Sequence, residues 1–166
     1  MLSAMAGYLA TVYLHILAAV IWVGGMLFLS LVVVPVALRL SPERRGALLS
    51  DMGSRFRWVG WACIVVLAVT GVLLLERRGT GLGEVFAGAF IGGPRGVVLL
   101  TKLSAFGAMV ALSLLHDFVL GPRLTIALQT APTRAKGLRR GTSWLARANL
   151  ALGLAVLVLA VLLVRT

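Results

Sequence analysis

The side chains in this 166-residue chain that could bind a metal or handle a proton from within apolar surroundings are few: His15, His116, Asp117, Lys102 and Cys63. His15 is the only imidazole, carboxylate, amine or guanidinium between Leu9 and Leu38. That run exceeds the roughly 20 residues a helix needs to cross the hydrocarbon of a bilayer. An ionisable ring at such a place is costly, so a partner, a cofactor or a pathway is expected to use it. Trp22 follows seven residues later, close to two turns, which puts the indole and the imidazole on one side of the helix as a pocket wall. A neutral imidazole can ligate haem iron or copper, and an ammonium can reach a propionate or hold an anion. His15 and His116 are therefore the candidate metal ligands, with Lys102 and Asn149 as further cofactor contacts and Lys102 and Trp22 as candidate catalytic groups.

Spacing sorts these groups into two levels. Lys102 and His116 are fourteen residues apart, so they share a helix face but lie about 21 Å apart along the axis. His15 and Lys102 fall toward one end of their helices and are expected at one depth, whereas His116 and Asp117 fall at the other end with Arg55, Arg57 and Arg123. A haem held between His15 and His116 is disfavoured by that separation, and ligation by His15 alone remains. Neighbours in sequence do not face each other on an α-helix, so Asp117 is expected to pair with an arginine rather than to orient His116. Met5, Met26, Met52, Met109 and Cys63 are soft donors suited to Cu(I). They form no Met-x-x-Met or Cys-x-x-Cys cluster, and residue chemistry alone ranks copper below haem b.

The elements that must position these groups are helices in a membrane. Hydrophobic residues make up 60% of the chain and charged residues 13%, with a mean hydropathy of +1.04. Four apolar runs, about 9–38, 58–75, 97–120 and 144–164, are each long enough to span, and continuous apolarity without alternation excludes a β-barrel. The expected fold is all-α, a single integral membrane domain over residues 1–166 arranged as a four-helix bundle, with no separate soluble catalytic domain. The formal charge of +11 lies in loops beside apolar runs. Membrane lipid and topology explain it there, and nucleic acid is not an expected partner.

Arg39, Arg44, Arg45, Arg55 and Arg57 crowd the first loop, and Arg123, Arg134, Lys136, Arg139, Arg140 and Arg147 the third. The positive-inside tendency then makes both loops cytoplasmic and both termini external, in a multi-pass membrane protein whose first helix is retained. Ser41-Pro42-Glu43 should open a short amphipathic segment in the first loop, and Gly121-Pro122 should end or kink the third helix. The middle loop, Arg77 to Gly96, holds seven glycines and a short surface segment near Val85–Phe90. Its GTGLGE stretch lacks the strand and the Lys-Ser/Thr ending of a nucleotide loop. Ser104, Gly107, Ala108 and Ala111 read as a packing face of helix three, and Asn149 with Gly153 as one of helix four. No internal repeat is evident.

The stretches LHILAAVIWVGGMLFL, RFRWVGWA, LLTKLSAFGAMVALSLLHDFVLGP and ARANLALGLAVLVLAVLL cover most of the chain. Together they resemble the four-helix core shared by the bacterial CopD copper-resistance membrane domain and the HemJ-type protoporphyrinogen oxidases. The string His15-x-x-Ala18-x-x-x-Trp22-x-Gly24-Gly25 is the most specific part. The resemblance implies copper movement in the first case and haem-b-dependent oxidation of protoporphyrinogen in the second. The oxidase pattern places its first-helix histidine at His15 and its third-helix lysine at Lys102. The chain departs from that pattern after Gly25, where FLSLVVVPVAL replaces the Leu-Pro-Arg-Leu string and the Tyr-His that follows it. On the CopD side the fourth-helix polar position is Asn149, and His116 stands where many copper-type relatives have a polar residue that does not ligate.

Three functional classes follow. The first is a haem-b-binding membrane redox protein that exchanges electrons with quinone or a membrane redox partner or oxidises a tetrapyrrole. The second is a copper transport or copper-resistance protein, and the third a scaffolding subunit whose polar groups only join helices, alone or as a homo-oligomer. The residues leave open whether the protein is an enzyme.

Overall fold

The computed structural model describes residues 2–77, 79, 83, 93–130 and 132–165, and all regular structure among them is helical. The chain forms two compact units, Met1–Phe90 and Ile91–Thr166. Four helices are long and apolar enough to cross a membrane: Leu2–Ala37, Pro42–Arg77, Gly96–Leu128 and Ala135–Arg165. The expected segment near Val85–Phe90 and most of the glycine-rich loop lie outside the described residues.

In the first unit, α1 (Leu2–Phe28) runs through a π-turn (Leu29–Val33) into α2 (Val34–Ala37), and α3 (Pro42–Arg77) returns antiparallel to it. The π-turn has a local cause. Pro35 has no N–H, and in a regular helix its ring would strike the carbonyl of Leu31. Widening the turn just ahead, with the Val34 N–H bonded to Leu29 O, lets the helix pass the proline. Leu38 to Ser41 make the whole connection, and α3 starts at Pro42, where the missing N–H costs no hydrogen bond. The expected amphipathic segment is thus the first part of one 36-residue helix. Its charged half, with Arg44, Arg45, Arg55 and Arg57, carries α3 past the length that hydrocarbon requires. Gly79 ends it with φ +75°, its N–H bonded to Glu76 O at 3.0 Å, a left-handed cap that glycine adopts without a Cβ penalty.

The register of α1 on α3 is read from small residues. Gly7 lies by Arg77, Gly71 by His15, Gly60 by Trp22 and Gly25 by Phe56, an antiparallel ladder along one face of each helix. Without apolar burial to drive them together, helices in lipid associate through close packing and hydrogen bonds, and glycine gives the closest approach. A Cβ at Gly25 would lie 2.9 Å from Phe56 Cζ and closer still to Cε2. Gly25→Ala is therefore expected to push the ring aside and destabilise the unit by about 1–3 kcal/mol. Thermal unfolding in detergent reads this directly, and an unchanged midpoint would show the ring to be loosely held.

The second unit repeats the plan. α4 (Pro94–Leu114) runs through a π-turn (Leu115–Leu120) into α5 (Gly121–Thr130), and α6 (Pro132–Arg165) packs on both. Gly121-Pro122 does not end the helix. The Gly121 N–H bonds His116 O across the widened turn, and the helix continues for another ten residues. Each unit thus has a helix with a π-turn two residues ahead of a proline, then a short link and a long helix opened by proline with a basic first half. His15 lies twenty residues before Pro35, and Lys102 twenty before Pro122. The repeat that residue identities did not reveal is carried by proline placement.

Met109 is buried in the second unit, and Ala127 and Ala135 are buried where α5 and α6 meet. Ser104, Gly107, Ala108 and Ala111 face away from α6 and are exposed, whereas Gly153 is buried as expected of the fourth-helix packing face. Many large apolar side chains are also exposed, among them Tyr13, Leu31, Trp58, Phe118 and Val158. In water such a surface would drive aggregation; in lipid it is the face that meets solvent.

Candidate metal-handling site

His15 is half-buried on the face of α1 that meets α3. Its Nδ1 lies 2.8 Å from Thr70 Oγ1, and Thr70 is buried, 6% exposed. The Thr70 hydroxyl donates its proton to Val66 O one turn back in α3. That hydroxyl has one proton to give, so in its contact with His15 the oxygen accepts and the imidazole Nδ1–H donates. The neutral ring is thereby held as the Nδ1–H tautomer, and the lone pair sits on Nε2. A histidine that ligates a metal commonly has its other ring N–H fixed in this way. The Cε1 edge of the ring faces α3, with a Cβ on Gly71 standing 3.6 Å from it.

Two turns along, Trp22 is 4% exposed, with its indole edge against Gly60. Met26 follows Trp22 by one turn, so imidazole, indole and thioether line one stripe of α1. On α3, Cys63 falls between the levels of Gly60 and Thr70 and is buried. The order along the pair of helices is therefore His15 with Thr70, then Cys63, then Trp22 with Gly60. Among the described residues no three His, Cys, Asp or Glu side chains come together as a closed metal site. His15, Cys63 and Met26 are borderline and soft donors set apart along the helix pair.

In the second unit His116 and Asp117 do bond to each other, with Nδ1 to Oδ1 at 2.9 Å. This corrects the expectation that neighbours could not meet. Both residues lie in the π-turn, where i→i+5 bonding crowds more residues into a turn and brings successive side chains closer in azimuth. The carboxylate thus orients His116 as Thr70 orients His15. Asn149 donates from Nδ2 to Ser113 Oγ at 3.0 Å and joins α6 to α4. Lys102 is half-buried on α4.

Thr70 was not singled out by sequence reasoning. A threonine in an apolar helix ordinarily satisfies its own backbone, as Thr101 does with Val97 O at 2.8 Å. Only the register between α1 and α3 distinguishes Thr70. The signal available was the small-residue ladder of Gly7, Gly25, Gly60 and Gly71.

Comparison with known proteins adds chemistry to this geometry. A family model described as copper resistance protein D (CopD) matches residues 50–163. A protein of Aquifex aeolicus (strain VF5), described only as uncharacterized, is 36% identical over 150 residues, which is 90% of each chain. No solved structure matches.

Proposed function

The chain belongs to the copper resistance protein D family, and on that premise we propose that it is a multi-pass membrane protein that moves copper through a bacterial inner membrane. The observation that carries this reading is the hydrogen bond from His15 Nδ1–H to Thr70, which fixes the orientation and tautomer of an imidazole inside a membrane-spanning helix pair, as a metal-ligating histidine requires. Cu(I) takes imidazole and soft sulfur ligands in low coordination numbers. His15 is the first station in this proposal, with the Cys63 thiol and the Met26 thioether as soft donors on the same helix pair. His116, oriented by Asp117, is a second imidazole station. Trp22 closes the apolar wall between donors and keeps water from the ion. Lys102, a cation, and Asn149, bonded to Ser113, have no ligand role. Loops rich in Lys and Arg face the cytoplasm, with both termini outside.

Haem iron would use the same imidazole nitrogen, so His15 alone does not separate iron from copper. The family match reverses the order in which residue chemistry placed them, and the tetrapyrrole-oxidase expectation gains no support from it. Proteoliposomes test the proposal. Vesicles carrying the purified protein should take up Cu(I), kept reduced with ascorbate, faster than protein-free vesicles of the same lipid. Equal rates would overturn the transport reading.

A further inference from the structure

Helix length and bilayer thickness disagree in this chain. α3 has 36 residues and α6 has 34, about 54 and 51 Å at about 1.5 Å per residue, whereas the hydrocarbon of a bilayer is about 30 Å thick. Tilting either helix until it fitted would take more than about 50°, beyond the roughly 0–40° that membrane helices adopt. Each helix must therefore leave the hydrocarbon, and its residues decide where. We propose that Trp58 in α3 and Trp144 in α6 sit in the headgroup layer of a phospholipid bilayer and mark its surface, so that Pro42–Arg57 and Pro132–Ser143 stand outside the hydrocarbon as continuous helix.

Span selects these two positions. Eighteen residues separate Trp58 from Glu76, the next charge in α3, and twenty-one separate Trp144 from Arg165, the charge that closes α6. Those separations are about 27 and 31 Å. Measured back from the charge at the far end, one hydrocarbon thickness lands on a tryptophan in both helices. A protein partner covering the indoles would give no reason for that agreement. A bilayer, which has one thickness, does.

Exposure agrees. Trp58 is 77% exposed and Trp144 59%, whereas Trp22, which packs between helices, is 4% exposed. An indole has an apolar body and one N–H, so where packing does not hold it, it is favoured at a boundary with lipid on one side and water on the other. Arg147 supplies a separate mark. It lies three residues past Trp144, inside the apolar run, yet its guanidinium stands over the Trp144 ring, 5.5 Å from the centroid. Side chains on a helix lean toward its N-terminus, so a long one near the start of the span leads its charge back out to the surface. None of this depends on the copper reading or on which side of the membrane the basic segments face.

Nitroxide labels on the full-length protein in phospholipid vesicles test the proposal, one label at a time in a Cys63→Ala background. Arg44→Cys, Trp58→Cys and Val65→Cys sample α3, and Arg140→Cys, Trp144→Cys and Val158→Cys sample α6, all at exposed positions. Labels at positions 44 and 140 should be relaxed by a water-soluble nickel chelate, and those at 65 and 158 by oxygen dissolved in the lipid. Those at 58 and 144 should fall at the crossover, reached by both reagents. Exclusion of nickel from 44 or 140 would sink the basic segments into the bilayer and overturn the proposal. So would nickel access at 58 and 144 as complete as at 44 and 140, or as slight as at 65 and 158. Labels at 58 and 144 that neither reagent reaches would show protein over the indoles and overturn it equally.

Discussion

Replacing His15 by alanine is expected to lower Cu(I) affinity by about 100-fold or more and to bring proteoliposome uptake down to the rate of protein-free vesicles. Loss of a direct ligand should cost at least as much as loss of a group that merely orients one, for which 10–100-fold is typical. The fold should survive the change. The His15–Thr70 bond is one contact in a helix pair also joined by the Arg77 guanidinium donating to Ala4 O and by the glycine ladder, and interhelical hydrogen bonds in membranes average only about 0.6 kcal/mol. A variant that unfolds at the wild-type temperature yet neither binds nor moves copper would therefore separate chemistry from architecture. If His15→Ala kept wild-type copper binding, His15 would be a packing residue with a hydrogen bond and nothing more.

The second large effect is expected at Thr70, which touches no metal in this account. Thr70→Val keeps the shape and removes the acceptor for Nδ1–H. The ring then loses its fixed tautomer and orientation, and Cu(I) affinity should fall about 10–100-fold. Thr70→Ser restores the oxygen and should recover most of that loss, because a serine hydroxyl can still donate to Val66 O and accept from His15. A purely structural threonine would give the opposite pattern. Valine, which packs well between helices, would then leave affinity untouched, and only the unfolding temperature would move.

Much of this was legible in the residues, and the parts that were not have physical reasons. Four spans and an all-helical fold follow from apolar run length, because lipid leaves the backbone no other way to satisfy its hydrogen bonds. His15 stood out for the same reason, since a titratable ring among more than twenty apolar residues is costly. Helix ends were harder to read. Apolarity marks what lipid covers, whereas α3 and α6 continue as helices through the basic segments Pro42–Arg57 and Pro132–Arg147. The prolines misled in a different way. Pro122 reads as a place where the helix ends or kinks; the helix does not end there but passes the proline through a π-turn, and that same turn lets His116 meet Asp117. Thr70 was invisible because its importance lies in which residue of α1 it opposes, and a pairing between two helices is not written in either alone.

The central claim is that a copper ion meets the imidazole of His15, and X-ray absorption at the copper edge of the Cu(I)-loaded protein tests it most directly. Wild type should show nitrogen scattering from imidazole together with sulfur at short distance, and the imidazole contribution should decrease in His15→Ala. An imidazole signal unchanged by that substitution would place the metal elsewhere in the chain and contradict the account.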